Sequence, residues 1–201
     1  MSDARFKDAI ARIDAANADD PETLRIDGAD LPKELTHARM LTDWVRRLRP
    51  DADNALLLAS RAHHVRRWVI PRDEYPAGRR GYLRWRTALH QFHADEVERL
   101  LADAGYAEPE IGRVQQLVRK RNLRRDPDVQ ALEDGLCLVF LDTQLGDLRR
   151  KHPESKMIDI LQKTWKKMSP QARDLALELE LATDDRALIE RALADSEPDG
   201  A

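Results

Sequence analysis

The stretch ASRAHHVRRWVIPRDEYPAGRRGYLRWRTALHQFH, residues 59–93, holds four of the six histidines of the chain, two of its four tryptophans and eight arginines. Its central part, PRDEYPAGRRG, contains two prolines and two glycines, which are incompatible with a continuous helix. The sequence on both sides has the spacing of apolar residues that is typical of helices. We therefore predict a helix over about 53–68, then a loop, then a long helix over about 82–104 that Gly105 ends.

Helical spacing of apolar residues continues through nearly all of the remaining chain. Asp30 is predicted to cap a second helix that has Pro32 in its first turn, and Ser169 with Pro170 predicts the start of a later one. The run VQALEDGLCLVFL is apolar around most of its circumference, which predicts the buried centre of the fold. Further helices are predicted around 6–13, over 109–120, in ESKMIDILQKTWKKM and in TDDRALIERALA, and a turn-rich linker is predicted in ANADDPETLRIDGAD.

These elements predict an all-α fold, a single-domain helical bundle. A length of 201 residues suits one domain. We predict that residues 1–195 form it and that residues 196–201 are a flexible tail.

The composition excludes several classes of protein. A formal net charge of −3 argues against binding of polyanions by the whole surface, although a local basic patch is compatible with it. The single cysteine, Cys137, excludes an intramolecular disulfide and every zinc motif with several cysteines. No apolar run approaches the roughly 18 residues of a membrane span, and MSDARFKDAI does not resemble a signal peptide. We expect a soluble, cytoplasmic protein with no membrane partner.

Polar residues fall on the apolar stripe of four long predicted helices when residues are placed at the helical spacing. His37 on the second helix, His93 on the fourth and Asp134 on the sixth lie on this stripe. His64 on the third helix lies at its edge, His63 lies toward the boundary, and Glu133 lies beside Asp134. Burial of single polar groups costs free energy, and burial of an ionised carboxylate without a partner costs more. Such a set therefore calls for a common partner.

A divalent metal would supply that partner, because neutral imidazole and carboxylate are ordinary ligands of zinc, iron, manganese and magnesium. The candidate metal ligands are His37, His63, His64, His93 and Asp134. Glu133 is a candidate general base. The alternative is a set of ordinary core residues, with each histidine bonded to a backbone carbonyl and Asp134 paired with an arginine.

The order of these residues resembles the ligand order of the HD-domain phosphohydrolases. His37 comes first, the pair His63-His64 follows about one helix later, and Asp134 lies on a later buried helix. The resemblance covers about residues 35–142. That superfamily is all-α and binds one or two metals through a histidine, a His-Asp dipeptide and a distal aspartate.

The resemblance implies an HD-like core at about 31–150, followed by C-terminal helices at 153–194. His93 lies where two-metal members have additional histidines, so it is a possible extra ligand. His64 stands in the place of the dipeptide aspartate, which bridges the two ions in those members. This departure argues against two-metal chemistry and bears on hydrolysis as well.

Two longer strings, HHVRRWVIPRDEYPAGRRGYLRWR and VQALEDGLCLVFLD, look like an uncharacterised microbial family, the domain of unknown function 4202. That resemblance covers nearly the whole chain. It implies a fold and a site, but no established activity.

Arginines alternate with aromatic residues along 61–93, where eight arginines stand against two acids. Guanidinium groups match phosphate bidentately, and aromatic faces stack on a base or a guanidinium. The loop in this segment joins the helices that carry His64 and His93, so we expect it to close over a site between them. The candidate substrate-binding residues are Arg72, Arg79, Arg80, Arg86, Tyr82 and Trp68. The alternative is a solvated basic face.

The leading hypothesis is a metal-dependent phosphohydrolase that acts on a nucleotide or another small phosphate ester, with Mn, Zn, Fe or Mg as the divalent cofactor. One alternative is a non-catalytic HD-like module that binds a nucleotide or RNA. The basic run RKRNLRR at 119–125 would extend an RNA-binding surface, but a small anionic, phosphate-bearing ligand is the favoured partner. The other alternative is an iron oxygenase, because histidine-rich HD relatives include mixed-valent di-iron oxygenases. The sequence indicates no oligomeric state.

Overall fold

The computed structural model describes residues 2–26, 28–120, 123 and 125–194, which form ten α-helices and a two-stranded antiparallel sheet. The fold is predominantly helical, as predicted. In chain order the elements are α1 Ser2–Ala18, β1 Thr23–Ile26, β2 Ala29–Pro32, α2 Lys33–Leu48, α3 Asn54–Ala62, α4 Gly78–Asp103, α5 Glu108–Val118, α6 Pro127–Thr143, α7 Leu145–Lys151, α8 Glu154–Lys167, α9 Pro170–Leu177 and α10 Thr183–Ala194. Two short 3-10 turns lie at Arg67–Val69 and Arg72–Glu74. The predicted tail, 196–201, lies outside the described residues.

A β-hairpin occupies the segment for which the sequence predicts a turn-rich linker. The two strands pair antiparallel, with Leu24 opposite Leu31. Gly28 has a φ of 82° in the turn between them, a conformation that glycine adopts without strain. Asp30 therefore lies in β2, where it pairs with Arg25 at 3.1 Å. The prediction that Asp30 caps α2 is wrong.

The cap of α2 comes from a residue further back in the chain. The helix begins at Lys33, and Pro32 at its N-cap position offers no side-chain hydrogen bond. Instead, Asp20 Oδ2 accepts a hydrogen bond of 2.8 Å from the backbone N–H of Glu34. A carboxylate at this position satisfies a free N–H and interacts favourably with the helix dipole. This contact fixes the start of the helix that carries Glu34 and His37.

The helix α3 begins as predicted but ends early. Asp53 caps it by accepting a backbone hydrogen bond of 2.8 Å. The helix ends at Ala62, and Arg66 follows with a φ of 52°, in the left-handed region. A right-handed helix cannot pass through that conformation. The prediction of a helix as far as Trp68 is therefore wrong, and the chain turns at the histidine pair.

The long helix α4 begins at Gly78, four residues before the predicted start, and ends at Asp103. Gly105 lies just past its end with a φ of 77°, which confirms its predicted role as the helix terminator.

Contacts divide the chain into two compact units, one up to Leu132 and one from Glu133 onward. In the first unit α3 packs against α2 and α5, and α5 packs against α4. In the second unit α8 packs against α10. Fully buried side chains of the first unit include Ile13, Leu56, Leu58, Leu101 and Leu117, and those of the second include Leu138, Leu141, Met157 and Leu188.

The second unit follows local sequence signals closely. Ser169 Oγ accepts a hydrogen bond of 3.2 Å from the backbone N–H of Ala172, and Pro170 begins α9, as predicted. The helices α8 and α10 lie where they are predicted, whereas α7 is an additional helix. None of the described helices is long and apolar enough to cross a membrane.

Candidate functional site

Three of the predicted histidines lie together in the first unit. His63 and His64 follow α3 directly, and His93 lies on α4. The ring centroids are 4.6 Å apart for His63 and His64, and 5.8 Å apart for His64 and His93. The side chain of His64 is about a third exposed, while His63 and His93 are buried. We call these three residues the histidine cluster.

His64 connects the cluster to an acid and a cation. Its Nε2 lies 3.0 Å from the Nη1 of Arg67, and its Nδ1 lies 3.6 Å from the Oε2 of Glu34. A guanidinium can only donate, so Nε2 accepts and the proton of the neutral ring lies on Nδ1. That proton faces Glu34 at a distance longer than a hydrogen bond.

Three buried side-chain atoms in and beside the cluster have no hydrogen-bond partner: Glu34 Oε2, His63 Nδ1 and His93 Nε2. Buried polar atoms in folded proteins are nearly always bonded, and each exception costs about 1–3 kcal/mol. A group of such atoms is typical of a site whose ligand supplies the missing partners. The sequence places them on three separate segments, and the fold brings those segments together.

Burial favours the neutral form of every titratable group in this region. It lowers the pKa of His63 and of His64 well below the ordinary value, and nearby cations lower both further. Burial, followed by the Arg67 cation, lowers the pKa of His93 to about 3. Burial raises the pKa of Glu34 to about 7. The three imidazoles are therefore neutral at pH 7, and Glu34 exchanges its proton near that pH.

His37 lies on α2, three residues after Glu34, and is 7% exposed. Burial and then the Lys33 cation lower its pKa to about 4. Its imidazole is thus also neutral at pH 7.

The turn that carries Arg67 is fixed by a residue from the end of α1. Asn17 Oδ1 accepts a hydrogen bond of 3.0 Å from the backbone N–H of Arg66. Arg66 has a φ of 52°, a conformation that costs a non-glycine residue about 1–2 kcal/mol. Asn17 is 1% exposed. Its contact therefore holds a strained turn in the position from which His64 and Arg67 meet.

A pocket of about 1030 Å³ opens beside Arg67. Its aromatic wall consists of Trp68, Tyr75 and Trp85. The guanidinium of Arg67 lies 4.9 Å from the centroid of the Trp85 ring, and the indole N–H of Trp85 donates a hydrogen bond of 2.9 Å to the carbonyl of Ile70. The pocket therefore combines flat apolar surfaces with a cation.

Most charged groups of the pocket already have partners. Lys33 pairs with Glu22 at 2.5 Å, and Asp20 accepts two backbone hydrogen bonds. Arg67 differs, because it makes no ion pair with a carboxylate in the part of the chain that the structure describes. Burial lowers its pKa, which indicates that the cation is poorly solvated. An anionic ligand would stabilise it.

The loop that borders the pocket is held closed on itself. The guanidinium of Arg72 donates hydrogen bonds to the carbonyls of Tyr75 at 2.8 Å and Pro76 at 3.1 Å. Gly81 allows this loop to approach α4, because a Cβ atom at Gly81 would lie only 1.8 Å from the carbonyl oxygen of Pro76. Arg72 thus lines the pocket and also gives two of its donors to the loop.

The other residues predicted to bind substrate divide between the pocket and the outer surface. Trp68 lines the pocket. Arg79 and Arg80 are exposed in the first turn of α4, and Tyr82 is 43% exposed. Arg86 is half-buried, with its Cζ 5.9 Å from the centroid of the Tyr82 ring. Their contact with a substrate stays a prediction.

Glu133 and Asp134 lie on α6 within the second unit, where both have partners. Asp134 Oδ1 accepts a hydrogen bond of 2.9 Å from the backbone N–H of Ser169, the N-cap residue of α9. Glu133 Oε1 lies 3.5 Å from the Nζ of Lys167. These contacts give both acids a structural role. Their predicted roles as metal ligand and general base stay predictions.

The residue types of the histidine cluster are suitable metal ligands, but their side chains are not arranged around a common point. Across the described ranges, no group of three or more His, Cys, Asp or Glu side chains is arranged to hold a metal ion. His63 Nδ1 and His93 Nε2 are nevertheless unpaired, and both rings are neutral at pH 7. His64 fits less well, because its Nε2 faces the Arg67 cation. A metal would therefore require His63 and His93 to turn toward a common point.

The family model described as "Domain of unknown function (DUF4202)" matches residues 7–189. The chain belongs to this family. No curated protein and no solved structure matches it. The matched range contains the histidine cluster, the pocket and the two acids of the second unit, but the description of the family names no activity.

In this family member, sequence reasoning missed three residues of the site: Glu34, Arg67 and Asn17. Glu34 had a usable signal, because it precedes His37 by three residues and shares its helical stripe. Arg67 is one of eight arginines in its segment, and only the turn after α3 distinguishes it. Asn17 had no local signal, because its contact with Arg66 joins residues that are 49 positions apart.

Proposed function

We propose that the protein is a metal-dependent hydrolase of a small phosphate ester, with its catalytic centre at the histidine cluster and its substrate in the adjoining pocket. The observation that carries this proposal is the set of three buried atoms without partners: His63 Nδ1, His93 Nε2 and Glu34 Oε2. A bound cation would satisfy the two nitrogens, and a water molecule or substrate hydroxyl would satisfy the oxygen.

His63 and His93 would hold the ion. Metal binding requires deprotonated ligands, and the lowered pKa values of these two histidines mean that no proton must leave at pH 7. Imidazole nitrogens favour zinc, iron or manganese over magnesium, which prefers oxygen ligands. When bound, such an ion lowers the pKa of a coordinated water and polarises a phosphoryl oxygen. The resemblance of His37 and His63 to the first ligands of the HD-domain phosphohydrolases supports the same chemistry.

Glu34 would accept the proton of the attacking water. Its side chain lines the pocket, and its pKa of about 7 lies close to the value at which a general base works best at neutral pH. The Nδ1–H of His64 points at the same carboxylate and would stabilise its charged form, which is the form that accepts the proton. Glu34 would therefore carry the proton at the edge of the pocket, with His64 as a positioning residue.

Arg67 would bind the phosphoryl group. It is a poorly solvated cation at the pocket wall, and its remaining N–H groups can donate bidentately to phosphate oxygens. Donors fixed in this way stabilise the charge that develops on those oxygens during hydrolysis. Trp68 and Tyr75 would cover the organic part of the ester.

The test is metal content and turnover of protein purified without a metal-affinity tag. We expect close to one equivalent of a transition metal, loss of turnover on phosphate esters after chelation, and recovery with Mn²⁺, Zn²⁺ or Fe²⁺. Less than about a tenth of an equivalent of bound metal, with no turnover restored by any of these ions, would contradict the proposal.

A second candidate, a non-catalytic module that binds a phosphate-bearing ligand, is favoured by one contact. The Arg67 guanidinium lies 3.0 Å from His64 Nε2, where it would repel a metal ion near that nitrogen. This candidate predicts that a phosphate ester binds chelated protein with undiminished affinity and is not turned over. Calorimetric titration of p-nitrophenyl phosphate, with and without chelator, separates the two candidates.

A further inference from the structure

The first turns of α4 carry positive charge without local compensation. Residues 78–94 contain four arginines and no aspartate or glutamate. Arg79, Arg80 and Arg84 are exposed, and in the described part of the chain they make no side-chain hydrogen bond or ion pair. Tyr82 and Leu83 lie between them and are 43% and 50% exposed. We call these five residues the α4 basic face.

Several exposed arginines elsewhere on the protein are paired with an acid within one helical turn. Arg12 pairs with Asp8 at 2.8 Å, and Arg99 pairs with Glu96 at 3.0 Å. Arg46 lies 3.4 Å from Asp43 in the same way. These three arginines each have an acid partner within one helical turn, whereas Arg79, Arg80 and Arg84 have none among the described residues.

The lack of an acid partner at these arginines costs stability. Cations in the first turn of a helix interact unfavourably with the helix dipole, and like charges four residues apart, as in Arg80 and Arg84, repel each other. The fold does not offset these effects with a carboxylate, so they point to a ligand that does. A partner that neutralises several arginines along one face must carry repeated negative charge.

We propose that the α4 basic face binds single-stranded nucleic acid, with the phosphates on Arg79, Arg80 and Arg84 and a base stacked on the ring of Tyr82. Interleaved cations and an exposed aromatic ring are the elements by which proteins bind single strands without reading a sequence. Leu83 and Tyr82 alone offer too small an apolar surface for a lipid bilayer. The net charge of −3 disfavours binding of a polyanion by the surface as a whole, so binding depends on a local basic face such as this one.

The face and the pocket lie on the same turns of α4. Gly78 and Trp85 line the pocket, while the residues between them include the basic face. A strand bound on the face would therefore pass beside the pocket. The proposal does not depend on hydrolysis, because its test uses metal-free protein.

The test is fluorescence anisotropy of a labelled 12-nucleotide single-stranded RNA, titrated with chelated protein at several salt concentrations. We expect the triple variant R79A/R80A/R84A to weaken binding at least about tenfold and to reduce the slope of log K against log salt by about 2. The matched control is R12A/R46A/R99A, which removes three exposed helical arginines and the same charge, and it should change affinity less than about twofold.

Tyr82 provides an independent readout. Y82A should weaken binding by roughly fivefold or more, because base stacking is lost, whereas Y82F keeps the ring and should bind like the parent. All of these positions are exposed, so every variant should remain folded, and R79A/R80A/R84A should melt at or slightly above the parent temperature, which thermal unfolding will check.

Three results would overturn the proposal. The first is equal loss in the α4 triple variant and its control, and the second is the absence of saturable RNA binding at low salt. The third is tighter binding to phosphatidylserine vesicles or to poly-glutamate than to the RNA, which would assign the face to a membrane or an acidic protein. Failure on RNA leaves the hydrolase proposal standing, since metal content and turnover are measured separately.

Discussion

The histidine cluster and the acid pair Glu133–Asp134 start from the same sequence pattern and reach opposite outcomes. Each places polar side chains on the apolar stripe of a helix. In the second unit Asp134 receives a backbone N–H from Ser169, and Glu133 lies near Lys167. In the first unit His63 Nδ1 and His93 Nε2 are buried without partners.

The difference shows that burial of a polar group does not by itself indicate function. A buried carboxylate that accepts the N–H of a helix end stabilises the fold, and its position is explained without a ligand. A buried imidazole nitrogen without a hydrogen-bond partner lowers the stability of the fold, and no contact within the protein offsets this loss. The second case identifies the region where a ligand is needed.

The largest effect should come from His93. The change H93A removes one proposed metal ligand, so we expect turnover to fall at least about 100-fold, the upper end of losses found even for groups that only support a ligand. D134N should leave turnover within about threefold of the parent, because its partner is a helix end. Steady-state kinetics and metal content measure both.

H152A is the control for the loss of a histidine, because His152 lies in the second unit and is half-buried. It should keep both metal and turnover. If D134N remains folded but loses as much activity as H93A, the contrast between the two regions is wrong, because Asp134 would then take part in the reaction.

A second effect, a loss of stability, should appear as the pH falls. The pKa values of His37, His63, His64 and His93 are lowered in the folded state, so below pH 6.5 the unfolded chain binds more protons and stability falls toward about pH 3–4. Glu34 acts in the opposite direction between pH 4.5 and 7, because its folded pKa is raised. Four histidines outweigh one glutamate.

We therefore expect the free energy of unfolding of chelated protein to fall by about 2 kcal/mol or more between pH 7 and pH 5, as measured by urea denaturation. Hydrogen exchange can assign the effect to a region. Peptides from α3 and α4 should lose protection at higher pH than peptides from α8 and α10. Equal loss in both regions would contradict the assignment to the histidines.

These two regions also differ in how far the sequence predicted them. The second unit depends on local signals: Ser169 and Pro170 start α9 as their positions predict, because an N-cap acts within one turn. The first unit depends on distant contacts. Asp20 caps α2 from 14 positions away, and Asn17 holds Arg66 from 49 positions away.

The hairpin was missed for a related reason. Its strands are four residues long and bounded by turn residues, so their composition is that of a linker. The helical wheel placed His93 on an inward face, where it is buried, but it placed His63 toward the boundary, although His63 is buried and His64 is about a third exposed. The wheel also assumed that α3 continued to Trp68. The left-handed conformation at Arg66 depends on the contact with Asn17, and no pattern of apolar residues encodes it.

The substitution D134N should have a smaller effect, a loss of stability. The amide keeps the shape of Asp134 but removes the charge that strengthens the hydrogen bond from Ser169 at 2.9 Å. We expect a loss of about 1–2 kcal/mol in the free energy of unfolding at pH 7. S169A removes the other cap of α9 and is the matched comparison, with a loss of about 1 kcal/mol. No change in D134N would mean that the carboxylate is not held by the helix end.

The smallest effect should come from E34Q, and its sign separates the two regions. Above pH 7 the buried Glu34 carries a charge that the fold disfavours, as its raised pKa shows. The amide removes that charge, so we expect E34Q to be more stable than the parent by about 1 kcal/mol at pH 8 and equal to it below pH 4.5. Turnover should fall at the same time, because the amide cannot accept a proton.

A functional group that costs stability gives this combination, whereas a structural acid such as Asp134 gives loss of stability without loss of turnover. Urea denaturation at pH 8 and at pH 4.5, with turnover measured on the same samples, decides between them; a less stable E34Q at pH 8 would show that Glu34 is held by the fold rather than by a ligand.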